Sequence, residues 1–217
     1  MVNTPGGMEQ LKALGVRNVP VVAIGERYTF AQNLKDVAKF VGVALNRSQL
    51  SPSVLAPRYD SILETAQELV RQVPLEQLGE RVIPNRPRLI RPFLFHIFRI
   101  GEAFLIAYDG EKYSNTLANV EPPESIRTPE QIATYGQEIR ERLQSWWASN
   151  TDRNLTKEID TYYGMQASHD VFERTTWHSA QHCRQLAVLL DRLGIPPKAP
   201  LTREQLDGLP LPEGIWE

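Results

Sequence analysis

The sequence predicts a mainly α protein, a four-helix bundle with a small β-hairpin and helix appended at its N-terminus. Three observations lead there. Four long stretches carry apolar residues at helical spacing, long polar or proline-rich crossovers separate them, and residues 19–31 near the N-terminus show a strand–turn–strand pattern. The chain has 217 residues, 41% hydrophobic and 23% charged. That is room for one large domain plus an appendage, and for a core that needs no covalent staples.

The elements follow in order. MEQLKALGV (8–16) reads as a helix closed by Gly15. VPVVAIG and ERY-TFA read as two short strands about a tight turn at Gly25-Glu26. NLKDVAKFVGV (33–43) is a helix capped by Asn33, with Leu34, Val37, Ala38 and Val41 on one face. A polar stretch, NRSQLSPS (46–53), then divides the chain into an N-terminal piece, 1–45, and a bundle with a proline-rich tail, 46–217. The first bundle helix, 54–73, places Tyr59, Ile62, Ala66, Leu69 and Val73 on one stripe. The second, 87–107, places Leu89, Phe93, His96, Ile100 and Ala107 likewise. The third, 129–148, turns Ile132, Ile139, Leu143 and Trp146 inward, with Thr128 as N-cap before Pro129. TDRNLTKEIDTYYGMQAS (151–168) is an extended or hairpin-like crossover. The fourth helix, 168–193, has Ser168 as candidate cap and stops at Gly194 before Ile195-Pro196-Pro197. In the tail, Thr202 and Gln205 have capping-box spacing.

Composition narrows the function. A net charge of −2 without a basic stripe argues against nucleic acid as a partner. No apolar run approaches the roughly 20 residues of a membrane span. The start of the chain lacks the basic-then-apolar pattern of a secretory signal, and a single cysteine, Cys183, precludes internal disulfides. These features point to the cytoplasm.

The chemistry concentrates on histidine. His178 and His182 lie one helical turn apart on the stripe that continues through Leu186, Leu189 and Leu193, and His96 sits between Phe93 and Ile100 on the inward face of another helix. Three inward imidazoles on two helices can meet in one layer. A buried imidazole costs about 1–3 kcal/mol for each nitrogen left unbonded, and a divalent cation satisfies three together while keeping a position open. The same spacing also fits a hydrogen-bonded core pair. His169 falls at the start of the last helix as a cap or surface residue. Cys183 points about 100° away from His182 around the helix and reads as a small hydrophobe. Trp146-Trp147 and Tyr162-Tyr163 read as packing residues, and Trp177 either walls the site or packs.

RPFLFHIFRIGEAFL and TTWHSAQHCRQL resemble the DinB/YfiT-like superfamily of metal-binding four-helix bundles over about residues 50–195. The resemblance implies that His96, His178 and His182 bind a divalent metal, Zn²⁺ first, with Ni, Fe or Mn as alternatives. It also implies thiol-dependent transfer or isomerisation, or hydrolysis. LKALGVRNVPVVAIGERYTFAQNLKDVAKFVG resembles the C-terminal half of a glutaredoxin, half a thioredoxin fold, over about residues 8–45. Val19-Pro20 stands where such proteins have a cis-proline. The redox cysteines are absent, so this piece cannot exchange disulfides. The resemblance implies glutathione contacts at Val19, Pro20, Gln32 and Asn33, where a helix N-terminus also suits an anion. The alternative is a remnant used for packing or dimerisation, and the exposed hairpin edge predicts a homodimer.

Three functions remain open at this stage. The first is a metal-dependent thiol (glutathione) transferase or isomerase acting on a small electrophile. The second is a metal-dependent hydrolase, disfavoured because Glu173 and Glu102 are poorly spaced for a general base. The third is a non-catalytic metal- or thiol-binding protein.

Overall fold

The computed structural model describes residues 6–16, 19–45, 47–83 and 87–216. The chain divides into two compact units, Met1–Ser48 and Gln49–Glu217.

In the first unit, helix α1 (Gly7–Ala13) leads to an antiparallel hairpin, β1 (Val21–Ile24) and β2 (Arg27–Phe30), and then to helix α2 (Leu34–Val41). The register pairs Val21 with Phe30 and Ile24 with Arg27. Gly25, at φ 61°, takes the left-handed turn position. Asn33 caps α2 by accepting a hydrogen bond from the Lys35 N–H at 2.9 Å. Of the expected apolar face only Ala38 is buried, while Leu34 and Val41 are exposed.

The second unit is the bundle: α3 (Pro52–Arg71), α4 (Ile90–Tyr108), α6 (Pro129–Ser149) and α7 (Ser168–Arg192). Helix α3 packs against α6 and α7, and α4 against the same two, so α3 and α4, and likewise α6 and α7, face each other across the bundle diagonal. Diagonal neighbours cannot be joined by a tight turn, which accounts for the long crossovers before α4 and before α7. One crossover contains the short helix α5 (Asn115–Ala118), which the sequence pattern did not reveal. Another forms the hairpin β3 (Glu158–Thr161) and β4 (Gly164–Ala167), and a bridge from Tyr113 to Thr161 joins the two crossovers. The tail carries the single turn α8 (Arg203–Leu206).

The local signals mostly act as expected. Thr128 and Gln131 form a complete capping box on α6, as do Thr202 and Gln205 on α8. Tyr59, Ile62, Ala66, Leu69 and Val73 are all buried. Two expectations need correction. Ser168 is the first residue of α7 rather than its cap; Ala167 holds the cap position, and the buried Ser168 hydroxyl has no hydrogen-bond partner among the described residues. Leu89 is exposed because α4 starts one residue later and Leu89 instead bridges back to Arg81.

Two glycines let the helices close. A Cβ on Gly136 of α6 would stand 2.5 Å from the Phe98 ring of α4, and one on Gly101 would stand 2.6 Å from the Tyr59 hydroxyl. A buried polar staple sets the depth of α7. The Ser179 hydroxyl donates to the Ile97 carbonyl at 2.9 Å and accepts from the Tyr59 hydroxyl at 3.2 Å, linking α7 to α4 and α3. Among the described residues, no helix is long and apolar enough to cross a membrane.

Gly136→Ala should therefore overpack the α4–α6 contact and cost about 1–3 kcal/mol. The expected result is a lower urea midpoint with an unchanged denaturant slope.

Candidate metal centre

The staple at Ser179 fixes the neighbouring turn of α7, and with it His178 and His182. On the facing side, α4 presents His96. One nitrogen from each of the three rings lies within 4.8 Å of the others. Ring centroids are 4.7 Å apart for His178 and His182, 5.4 Å for His96 and His178, and 5.2 Å for His96 and His182. Nitrogens at 2.0–2.1 Å from one tetrahedral ion stand about 3.4 Å apart, so the rings would draw together slightly to hold it.

Aromatic rings wall the trio. Trp177 stacks on His178 with centroids 5.8 Å apart, and Phe93 meets His182 edge-on at 5.4 Å. His182 Nδ1 donates to the Gln185 side-chain oxygen at 2.7 Å, and the Gln185 amide in turn donates to the Ile215 carbonyl at 2.7 Å. The second bond orients the Gln185 amide, so its oxygen must face the ring and Nδ1 must carry the proton. His182 Nε2 is then left as a bare lone pair.

That lone pair has no partner among the described residues, and neither does His178 Nδ1, although both are buried. Hydrogen-bonded core histidines would not leave two buried nitrogens unbonded in a cluster of three rings, whereas metal ligands would. The donor set also fits. Three neutral imidazoles suit Zn²⁺ and its first-row neighbours and leave a coordination position open.

Electrostatics keep the rings neutral. Burial pushes His96 and His178 well below the ordinary histidine range, with the other imidazoles and the cations Arg88 and Arg174 acting in the same direction; the Ala118 carbonyl partly opposes this at His96. His182 is lowered to about 3, first by burial and then by Arg88. The imidazoles are therefore ready as ligands without losing a proton.

No family model and no curated protein matches the chain. Among solved structures, a DinB-like protein from Bacillus cereus ATCC 10987 is similar, with a TM-score of 0.52 and 16% identity over 64% of this chain and 91% of that one. The fold is DinB-like. At that identity the likeness speaks for the fold alone, and the centre rests on its own geometry.

The other candidate residues fall as follows. His169 Nε2 donates to the Leu50 carbonyl at 2.7 Å, tying the start of α7 to the chain before α3. Cys183 is fully buried, and burial raises its thiol far above the ordinary range, so it packs as a hydrophobe. Glu102 is held by Arg99, Tyr135 and Arg142; although burial alone would raise its carboxyl, these bonds keep it below the usual range. In the N-terminal unit the Val19–Pro20 peptide is cis, the Gln32 amide donates to the Val19 carbonyl at 3.3 Å, and Asn33 caps α2. A groove of about 630 Å³ in that unit is lined by Gln10, Ala23 and Glu26, and not by these four residues.

Spacing alone did not single out Arg88, Glu121 or Gln185. Gln185 carried the one legible signal, three residues past His182 on the same helix. Arg88 and Glu121 share a cavity of about 470 Å³ with His96, and only the crossovers bring them there.

Two outcomes follow. Folding holds the three imidazoles neutral, whereas unfolded histidine titrates near 6.5. Below that pH the unfolded chain binds protons that the folded one refuses, so stability present above about 6.5 is lost as pH falls, by up to about 1.4 kcal/mol per pH unit per histidine. Urea midpoints of chelator-stripped protein should fall steeply between pH 7.5 and 5.5, while metal affinity of the folded protein holds through that range. Second, Gln185→Leu should weaken metal binding by roughly 10–100-fold through loss of ring orientation, measured by competition with a chromophoric chelator.

Proposed function

We propose that this protein is a metal-dependent enzyme that transfers a low-molecular-weight thiol, glutathione first among them, to a small electrophile, or isomerises such an electrophile through its thiol adduct. The observation that carries this reading is the convergence of His96, His178 and His182, with His178 Nδ1 and His182 Nε2 buried and unbonded among the described residues. His96, His178 and His182 would hold a divalent cation, Zn²⁺ in the first instance, which would supply a Lewis acid that lowers the pKa of a thiol or water toward neutral pH.

The chain's own residues supply orientation and exclusion of water. Gln185, anchored by Ile215, holds the His182 ring and its tautomer. Phe93 and Trp177 close the flanks with apolar surface, which strengthens every charge interaction inside. In the transfer the thiol sulfur bonds to carbon, its proton passes to solvent, and the leaving group departs with the bonding pair. The N-terminal unit enters as a thiol-binding appendage, with Val19, Pro20, Gln32 and Asn33 as the contacts that its glutaredoxin-like sequence implies.

A hydrolytic reading draws on Glu121, whose carboxylate lines the cavity beside His96. Turnover without added thiol would favour it.

Protein purified without chelator should contain close to one equivalent of divalent metal, and His178→Ala should lose most of it together with thiol-dependent turnover of model electrophiles. Metal-loaded protein with no such turnover would overturn the transferase reading.

A further inference from the structure

Beside the histidines the bundle opens into the cavity of about 470 Å³ whose walls include Arg88, Pro92, His96, Asn119 and Glu121. Arg88 lies just ahead of α4, and Glu121 follows α5, so the two charged walls come from different crossovers. The Arg88 guanidinium lies over the Phe93 ring, 5.7 Å from its centroid, and Phe93 itself abuts His182. A fixed cation thus stands one aromatic ring away from the centre.

Neither Arg88 nor Glu121 has a side-chain hydrogen bond or ion pair among the described residues; they attract each other across the cavity without closing into a salt bridge. Arg88 is partly buried and Glu121 exposed, and the two line one cavity with opposite charges. A ligand that carries both complementary charges satisfies both walls. The centre adds its own demand. Three neutral imidazoles bring no negative charge, so an anionic group on the ligand complements a divalent cation held by them.

We propose that this cavity is a subsite for an amino-acid zwitterion, Arg88 taking the α-carboxylate and Glu121 the α-ammonium of the molecule that reacts at the histidines. The inference rests on the thiol-transfer reading for what that molecule carries at its other end. The charge recognition itself stands on the cavity.

Four small probes separate these points: L-cysteine, cysteamine, which lacks the carboxylate, 3-mercaptopropionate, which lacks the ammonium, and L-alanine, which lacks the sulfur. Titration calorimetry of the full-length, Zn²⁺-loaded protein should show cysteine binding at least about tenfold more tightly than either single-charge thiol, the usual strength of a charged hydrogen bond. Arg88→Met should abolish the advantage over cysteamine and keep that over 3-mercaptopropionate, and Glu121→Gln should do the reverse. Arg88→Lys, which keeps the charge but not the fork, should retain part of the advantage and serves if the methionine variant does not fold. No cysteine advantage, or variants that weaken all three thiols equally, would overturn the subsite. Alanine that binds the metal-free protein with the same Arg88 and Glu121 dependence, and with no gain from sulfur when Zn²⁺ is present, would uphold the subsite and sink the thiol reading. A sulfur gain indifferent to both residues would do the opposite.

Discussion

Inside a helical bundle an imidazole has to be uncharged, and each nitrogen that finds no partner raises the energy of the fold. Here three imidazoles meet in the interior, and burial holds all of them neutral. The His182 ring bonds to the Gln185 side chain and Trp177 stacks on His178, while His178 Nδ1 and His182 Nε2 have no hydrogen-bond partner among the described residues. A packing scaffold under selection for stability alone would place leucine or phenylalanine at these positions, as it does at Phe93, Ile100 and Leu186 around them. The polar layer makes physical sense as a ligand set, and the rest of the architecture positions it.

That positioning comes from features remote from the histidines. Diagonal placement of α3 and α4, and of α6 and α7, makes α4 and α7 direct neighbours, although α6 lies between them in sequence. Ser179, one residue past His178, locks the azimuth of α7 by spending its only proton on the Ile97 carbonyl of α4. The chain end contributes as well. Gln181 and Arg184 donate to carbonyls of residues 212–215, so the tail lies along α7 where Gln185 reaches Ile215. The second contact shell of the centre is therefore built from a segment some thirty positions downstream.

The crossovers do more than connect. The link before α4 delivers Arg88 and the link after α5 delivers Glu121, which gives the cavity beside His96 its two opposed charges. Protein pockets gain specificity from a few polar groups set into an apolar surround, and this one follows that pattern, with Pro92 and Val120 among its apolar walls. The functional differences within such a scaffold are carried by its links, because the helices themselves are committed to the core.

Periodicity in the amino-acid sequence determined the four long helices and the inward faces that carry His96, His178 and His182, because a 3.6-residue repeat states which side of a rod is buried without reference to its neighbours. Local chemistry likewise determined the Gly25 turn and the caps at Asn33, Thr128 and Thr202. Short-range rules failed at Ser168, where a hydroxyl that looks like a cap lies inside the first turn, and at Leu89, where a bridge to Arg81 overrides the helical stripe. Which helices touch, and therefore whether the imidazoles on two of them share one space, was decided by tertiary structure alone. So were the pairing of Gln185 with Ile215 and the meeting of Arg88 with Glu121, since those contacts join segments whose separation along the chain carries no periodic signal.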